Sequence, residues 1–237
     1  MRSRVGEMHD PREPLHVLHI GKTGGTALNH VLVQYAEASR YRPVLAGHEL
    51  TLRDVPHRER FMFFIRDPVS RFVSAFNSRL REGRPRYHYP WRAEERRAFA
   101  SFKTPDELAV ALSGPRGLRC EAETAMNAIG HLNTHYSFWL GDADTLRSRA
   151  DDVFFIGFQE RLDQDFVDLK LRLGLPAEAE LPRGDVAHRA PAGSATHLSS
   201  VARANLERWY AEDVSLVELC QELAPAVNTR SHDVVSS

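Results

Sequence analysis

Lys22 stands in the run His19-Ile20-Gly21-Lys22-Thr23-Gly24-Gly25-Thr26, between a short apolar stretch and the first stretch with helical spacing. Strand, glycine-rich loop and helix start together form a natural cradle for a phosphate or sulfate. The first amides of a helix have no partner inside it and point outward, and the helix dipole adds partial positive charge. Gly24 and Gly25 let the main chain approach an anion closely. Lys22 brings a full charge, and the hydroxyls of Thr23 and Thr26 add donors. A plain tight turn would use the same residues, so the loop alone leaves both readings open. A nucleotide-kinase loop, G-x-x-x-x-G-K-[ST], has its Lys after the second Gly. Here Lys22 precedes both glycines, and neither that pattern nor G-x-G-x-x-G occurs in the chain.

A second block separates the readings. In Phe64-Ile65-Arg66-Asp67-Pro68-Val69-Ser70-Arg71-Phe72-Val73-Ser74-Ala75-Phe76, Arg66 ends an apolar run, and Ser74 follows about two helical turns later. Both can reach one anion lying beside the helix. Two separate anion sites at strand ends suit a nucleotide with phosphates at both its 5' and 3' positions.

With these blocks the sequence resembles the sulfotransferases that use 3'-phosphoadenosine-5'-phosphosulfate (PAPS). Residues 19–26 look like their 5'-phosphosulfate loop, and Arg66 through Phe76 like their 3'-phosphate motif, R-D-P-x-x-R-x-x-S-x-F. Phe155 to Leu162 resembles the carbohydrate 2-O-sulfotransferase branch, as do the late segments with Tyr210 and Asp213. The resemblance runs through most of residues 15–223. It implies that Lys22 contacts the bridging oxygen of the leaving 5'-phosphate. Thr23, Gly24, Gly25 and Thr26 would hold the phosphosulfate, and Arg66 and Ser74 the 3'-phosphate, with no metal required. The acceptor would be a hydroxyl of a glycan, a glycolipid or a small metabolite. Two alternatives stay open: a nucleotide-dependent kinase of P-loop type, and a nucleotide-binding relative without catalysis.

A hydroxyl acceptor must lose a proton during attack, and His is poised for that near neutral pH. His48, in Ala46-Gly47-His48-Glu49, is expected to end a second strand at the ligand-binding edge of a parallel sheet. The 2-O-sulfotransferase branch carries a Gly-His in a similar place and uses that His as base. Glu49 is the rival. If residues 46–50 stay extended, only one of the two can face the crevice. His131 and His135 lie in a polar stretch placed near the acceptor, and His188 and Arg189 in a late loop that could close over the nucleotide.

These groups need elements to hold them. Residues 15–20, 43–46, 61–65 and 153–157 read as short buried strands, bounded by Gly, Pro or charge. Helical spacing runs from about Ala27 to Ser39, from Pro68, through most of 105–150, over 160–173 and from about Ser199 to Leu223. Asp67 is placed to cap the helix that Pro68 opens. Alternating strands and helices imply an α/β fold with a central parallel sheet flanked by helices. One domain is expected over 14–225, between a polar lead-in (1–13) and a tail (226–237). Residues 79–97 read as a basic insertion, seven Arg against three Glu with Tyr87, Tyr89 and Trp91 interleaved. It is either a solvated loop or a grip on an acidic or sugar acceptor.

Composition narrows the class. The formal charge is −1, which gives no general pull toward nucleic acid or an anionic membrane. Of 31 basic residues only three are Lys, at 22, 103 and 170, so a Lys inside a motif stands out. No apolar run nears the roughly 20 residues of a membrane span. Residues 1–14 lack an apolar signal-peptide core, and a cytoplasmic location is the expectation. Cys120 and Cys220 are expected as reduced thiols.

Overall fold

Four strands, β1 (Pro14–Leu18), β2 (Arg42–Val44), β3 (Arg60–Ile65) and β4 (Val153–Phe158), form one parallel sheet in the order β2-β1-β3-β4. They belong to a computed structural model that describes residues 10–85, 87–183 and 194–230. Most of the expected lead-in, the late-loop pair His188 and Arg189, and the last seven residues of the tail lie outside the described residues.

The sheet is parallel because its strands are apolar on both faces and need cover on both. Along β3, Phe61, Phe63 and Ile65 enter one layer, with α6 (Tyr136–Leu140), α7 (Ala143–Ser148) and α10 (Ala211–Thr229). Met62 and Phe64 enter the opposite layer, with α1 (Gly25–Gln34) and α8 (Leu162–Leu173). A register shift beside β3 at Phe61/Met62 turns Phe154 and Phe155 of β4 into that second layer together. Burying each such side chain contributes roughly 1.5–3 kcal/mol, so the strand ends are firm mounts.

A third cluster lies around α2 (Pro68–Leu80), whose Val69, Phe72, Ala75 and Phe76 pack with α3 (Ala93–Ser101), α4 (Pro105–Ala111), α5 (Arg116–Ala128) and α9 (Ser200–Trp209). Asp67 caps α2, accepting from the Ser70 amide at 2.7 Å, with Pro68 in the first turn. Helices thus fill much of 105–150, as the spacing predicts, and α10 continues to Thr229, beyond the Leu223 that the periodicity gives.

Two local expectations are corrected. β2 stops at Val44, and residues 47–48 form a turn with Gly47 at φ 65°, so the extended run through 46–50 does not exist. The described residues of 79–97 are not a single loop. They comprise the end of α2, turns and the start of α3.

The topology places the site. From β1 the chain crosses to β2 on one side, and from β3 to β4 on the other. The crevice between the C-terminal ends of β1 and β3 is therefore the point where strand order reverses, the usual ligand position in such sheets.

Candidate active site

The loop after β1 is bent by two residues with positive φ, Lys22 (72°) and Gly24 (94°). The turn delivers Gly25 as the first residue of α1, and no side chain caps that helix. Its first-turn amides face the cavity at the crevice, which Gly24, Gly25 and Thr26 line. A Cβ on Gly25 would come within 2.3 Å of the His19 ring, so a larger residue here forces the ring or the loop to shift. Thr23 departs from expectation. Its side chain is buried, and its hydroxyl donates to the Ile20 carbonyl at 2.9 Å. It braces the loop from inside, and the hydroxyl at the cavity is Thr26's.

Four cations converge on this loop. Arg66, just past β3, donates to the Lys22 carbonyl at 3.4 Å, and Arg71 on α2 donates to the Gly21 carbonyl at 3.0 Å. The Arg71 guanidinium lies 4.9 Å from the Tyr136 ring centre. Tyr136 in turn donates to the Arg66 carbonyl at 2.6 Å. Lys22 and Arg66 line both the crevice cavity, about 580 Å³, and an adjoining cavity of about 660 Å³ that Arg81 also borders. None of Lys22, Arg66, Arg71 and Arg81 has a carboxylate partner among the described residues. Burial, followed by the charges of Arg81, Arg66 and Arg71, brings Lys22 down to about 8. Burial also lowers Arg66. Arg66 Nε and Arg71 Nη2 are buried without a hydrogen-bond partner. Glu160 and Asp67 offset part of this charge at Arg66 from beyond ion-pair distance. Buried cations without close counter-charges are costly, and an anionic ligand would supply what they lack. Ser74 borders both cavities beside Arg66, as the spacing predicts.

His48 hangs over the same crevice from the far side. Its Nδ1 lies 2.8 Å from the His19 carbonyl oxygen, and its main-chain oxygen accepts from Trp139 Nε1 at 2.9 Å. A carbonyl only accepts, so Nδ1 carries the hydrogen and Nε2 of the neutral ring keeps a lone pair. Glu49 is exposed and lines neither cavity at the loop. The choice between them rests on the Gly47 turn, not on strand alternation.

His131 lines the cavity as well, its ring centre 6.1 Å from that of His48. Burial, followed by the charges of Lys22 and Arg71, holds it near 3, so it is neutral at ordinary pH. His135 does not line this cavity. It faces the buried Asp213 carboxylate at 3.4 Å, which raises it.

Residues with no role in the sequence reading complete the site. The His19 ring lies against that of His48, centres 4.0 Å apart and planes tilted by 34°, and Asn29 Nδ2 sits 3.2 Å from the His19 Nδ1. Arg71 is the second Arg of the R-D-P-x-x-R block, a position whose spacing could have flagged it. Arg79 and Glu95, within the supposed basic insertion, form a buried double-bonded pair, both contacts 2.7 Å. Nothing in the sequence marks that pairing. Burial would raise the Glu95 carboxyl, but Arg79 and the amides of Gly130 and Arg92 outweigh it and hold the group at about 2.

Among the described residues no group of His, Cys, Asp or Glu converges to hold a metal ion, and no helix is long and apolar enough to cross a membrane. Cys120 is exposed and Cys220 buried, each unpaired. The model of one protein family, described as the sulfotransferase family, matches residues 8–218. No curated protein matches the chain.

Proposed function

We propose that this chain, which belongs to the sulfotransferase family, moves the sulfuryl group of PAPS onto an acceptor hydroxyl, with His48 as the base. One observation carries the reading: Lys22, Arg66, Arg71 and Arg81 gather unpaired around the uncapped start of α1. The donor brings a 3'-phosphate and a 5'-phosphosulfate, together about four negative charges near neutral pH, since a phosphomonoester carries −1.5 to −2.

The residues fit this donor. Gly25 lets the His19 ring pack against the loop, and the buried Nε of Arg66 and Nη2 of Arg71 await acceptors. Arg66 and Ser74 would hold the 3'-phosphate, and Thr26 with the α1 amides the phosphosulfate. Nε2 of His48 takes the hydroxyl proton as the acceptor oxygen bonds to sulfur. The bond from sulfur to the 5'-phosphate oxygen breaks, and Lys22 stabilises the negative charge left there. Positioning and charge stabilisation carry most of such a transfer, as in phosphoryl transfer. His131, uncharged, forms part of the wall near the base.

Thermal unfolding with adenosine 3',5'-bisphosphate, the spent donor, tests the reading. A ligand at a hundred times its Kd adds about 2.7 kcal/mol, a Tm rise of roughly 5–10 °C for a chain of this size. Arg66→Ala should lose most of the rise. Equal stabilisation by AMP would remove the 3'-phosphate site from the proposal. Sulfate transfer from labelled PAPS to a hydroxyl library tests the chemistry itself.

A further inference from the structure

We infer that the acceptor is an uncharged compound presenting a flat ring, seated against Tyr87 and Tyr89, and not a polyanion. The inference rests on the sulfotransferase reading and concerns what that reading leaves open. Once the donor is bound, its charges answer the four cations at the loop. The wall on the α2–α3 side then decides what else the cleft accepts.

That wall looks basic in sequence, but its charges are already used. Arg79 gives Nε and one Nη2 hydrogen to Glu95, and its other contacts go to the carbonyls of Tyr89 (3.1 Å) and Pro90 (3.5 Å). Glu95 in turn accepts from the amides of Gly130 at 3.0 Å and Arg92 at 3.1 Å. The guanidinium is thus committed to framework contacts, with little left for a ligand. Of the charged residues on this side that line the crevice cavity itself, Arg92 against the Arg79–Glu95 pair leaves a net charge of about +1, a weak field for a polyanion, and Arg84, at the adjoining cavity, is paired with Glu82 at 3.7 Å.

The wall does offer aromatic faces. Tyr87 is 41% exposed and Tyr89 61%, and both line the crevice cavity with His48 and His131. The Arg79 guanidinium lies 5.4 Å from the Tyr89 ring centre on one side, and a ligand would take the other face. Half-exposed rings on the rim of a catalytic cavity stack against flat apolar faces, while their hydroxyls meet polar edges. A neutral sugar ring and a phenol share that chemistry.

The experiment measures transfer from labelled PAPS to matched acceptors: a neutral glycoside, its uronic acid counterpart, a simple phenol and a carboxylated phenol. The uncharged member of each pair should have the higher kcat/KM, and the two pairs tell sugar from phenol. Tyr89→Ala should raise the acceptor KM about tenfold and leave the Tm rise with the bisphosphate unchanged. Salt between 20 and 300 mM should move that KM less than about twofold. A further cavity on the other side of His48 is lined by the half-exposed Phe138. Preference for the charged member, or a KM that responds to Phe138→Ala and not to Tyr89→Ala, overturns the inference. Without turnover, equilibrium binding of the same compounds to the bisphosphate-loaded protein reads the same preference, and binding of none of them also overturns it. Absence of any bisphosphate effect on Tm instead strikes the donor reading.

Discussion

His48 is tied through Nδ1 to the main-chain oxygen of His19, 2.8 Å away, and the two imidazoles meet with centres 4.0 Å apart and planes tilted by 34°. The residue that introduces the glycine-rich loop therefore also fixes the tautomer of the proposed base. His48→Ala should lower kcat by about 10²–10⁴ while the Tm rise with the bisphosphate persists. Glu49→Gln should leave both unchanged. Steady-state rates with labelled donor check this, and the opposite pattern would transfer the role to Glu49.

Gly25→Ala places a methyl within 2.3 Å of the His19 ring. Either the ring moves, disturbing His48, or the start of α1 shifts away from the anion. Bisphosphate binding and kcat should both fall at least tenfold. Removing the obstruction in Gly25→Ala/His19→Ala should recover part of the binding. Calorimetric Kd values for the single and double variants measure the coupling.

Lys22 gives the site a pH dependence. Its folded value of about 8 lies below its ordinary 10.5. Between these values the unfolded chain holds more protons, so the unliganded protein should gain stability as pH rises through that window. A bound anion favours protonated Lys22, so bisphosphate affinity should fall above pH 8, and binding near pH 8.5 should take up protons. Titration calorimetry in two buffers of different ionisation enthalpy reads the uptake. Lys22→Met should abolish it.

The Arg79–Glu95 pair is 6% and 1% exposed at its side chains. Glu95→Gln should cost roughly 3–5 kcal/mol by leaving Arg79 buried and unanswered. In the native chain the Glu95 contribution is present above pH 4.5, its ordinary value, and is lost as pH falls toward about 2. Denaturant unfolding at pH 7 and pH 3 should show the gap between native and variant narrowing in acid.

Much of the candidate site is legible in the sequence because its parts are local. Gly24-Gly25-Thr26 announces a helix start by residue type, Asp67-Pro68 announces another, and Arg66 and Ser74 are related by helical period alone. The apolar runs at 61–65 and 153–157 likewise declare buried strands, and their alternation with helices declares a parallel sheet. Properties within one element follow from spacing. Relations between elements do not, and these only the tertiary structure decided. Strand order put Lys22 beside Arg66 across β1 and β3. A positive-φ turn at Gly47, not strand alternation, aimed His48. The Thr23 hydroxyl turned inward because a buried Ile20 carbonyl needed a donor. Seven arginines between 79 and 97 read as a charged surface, yet the fold brings Glu95 against Arg79 and Gly130. Charge in a sequence is a count, whereas charge in a site depends on which partners burial leaves within reach.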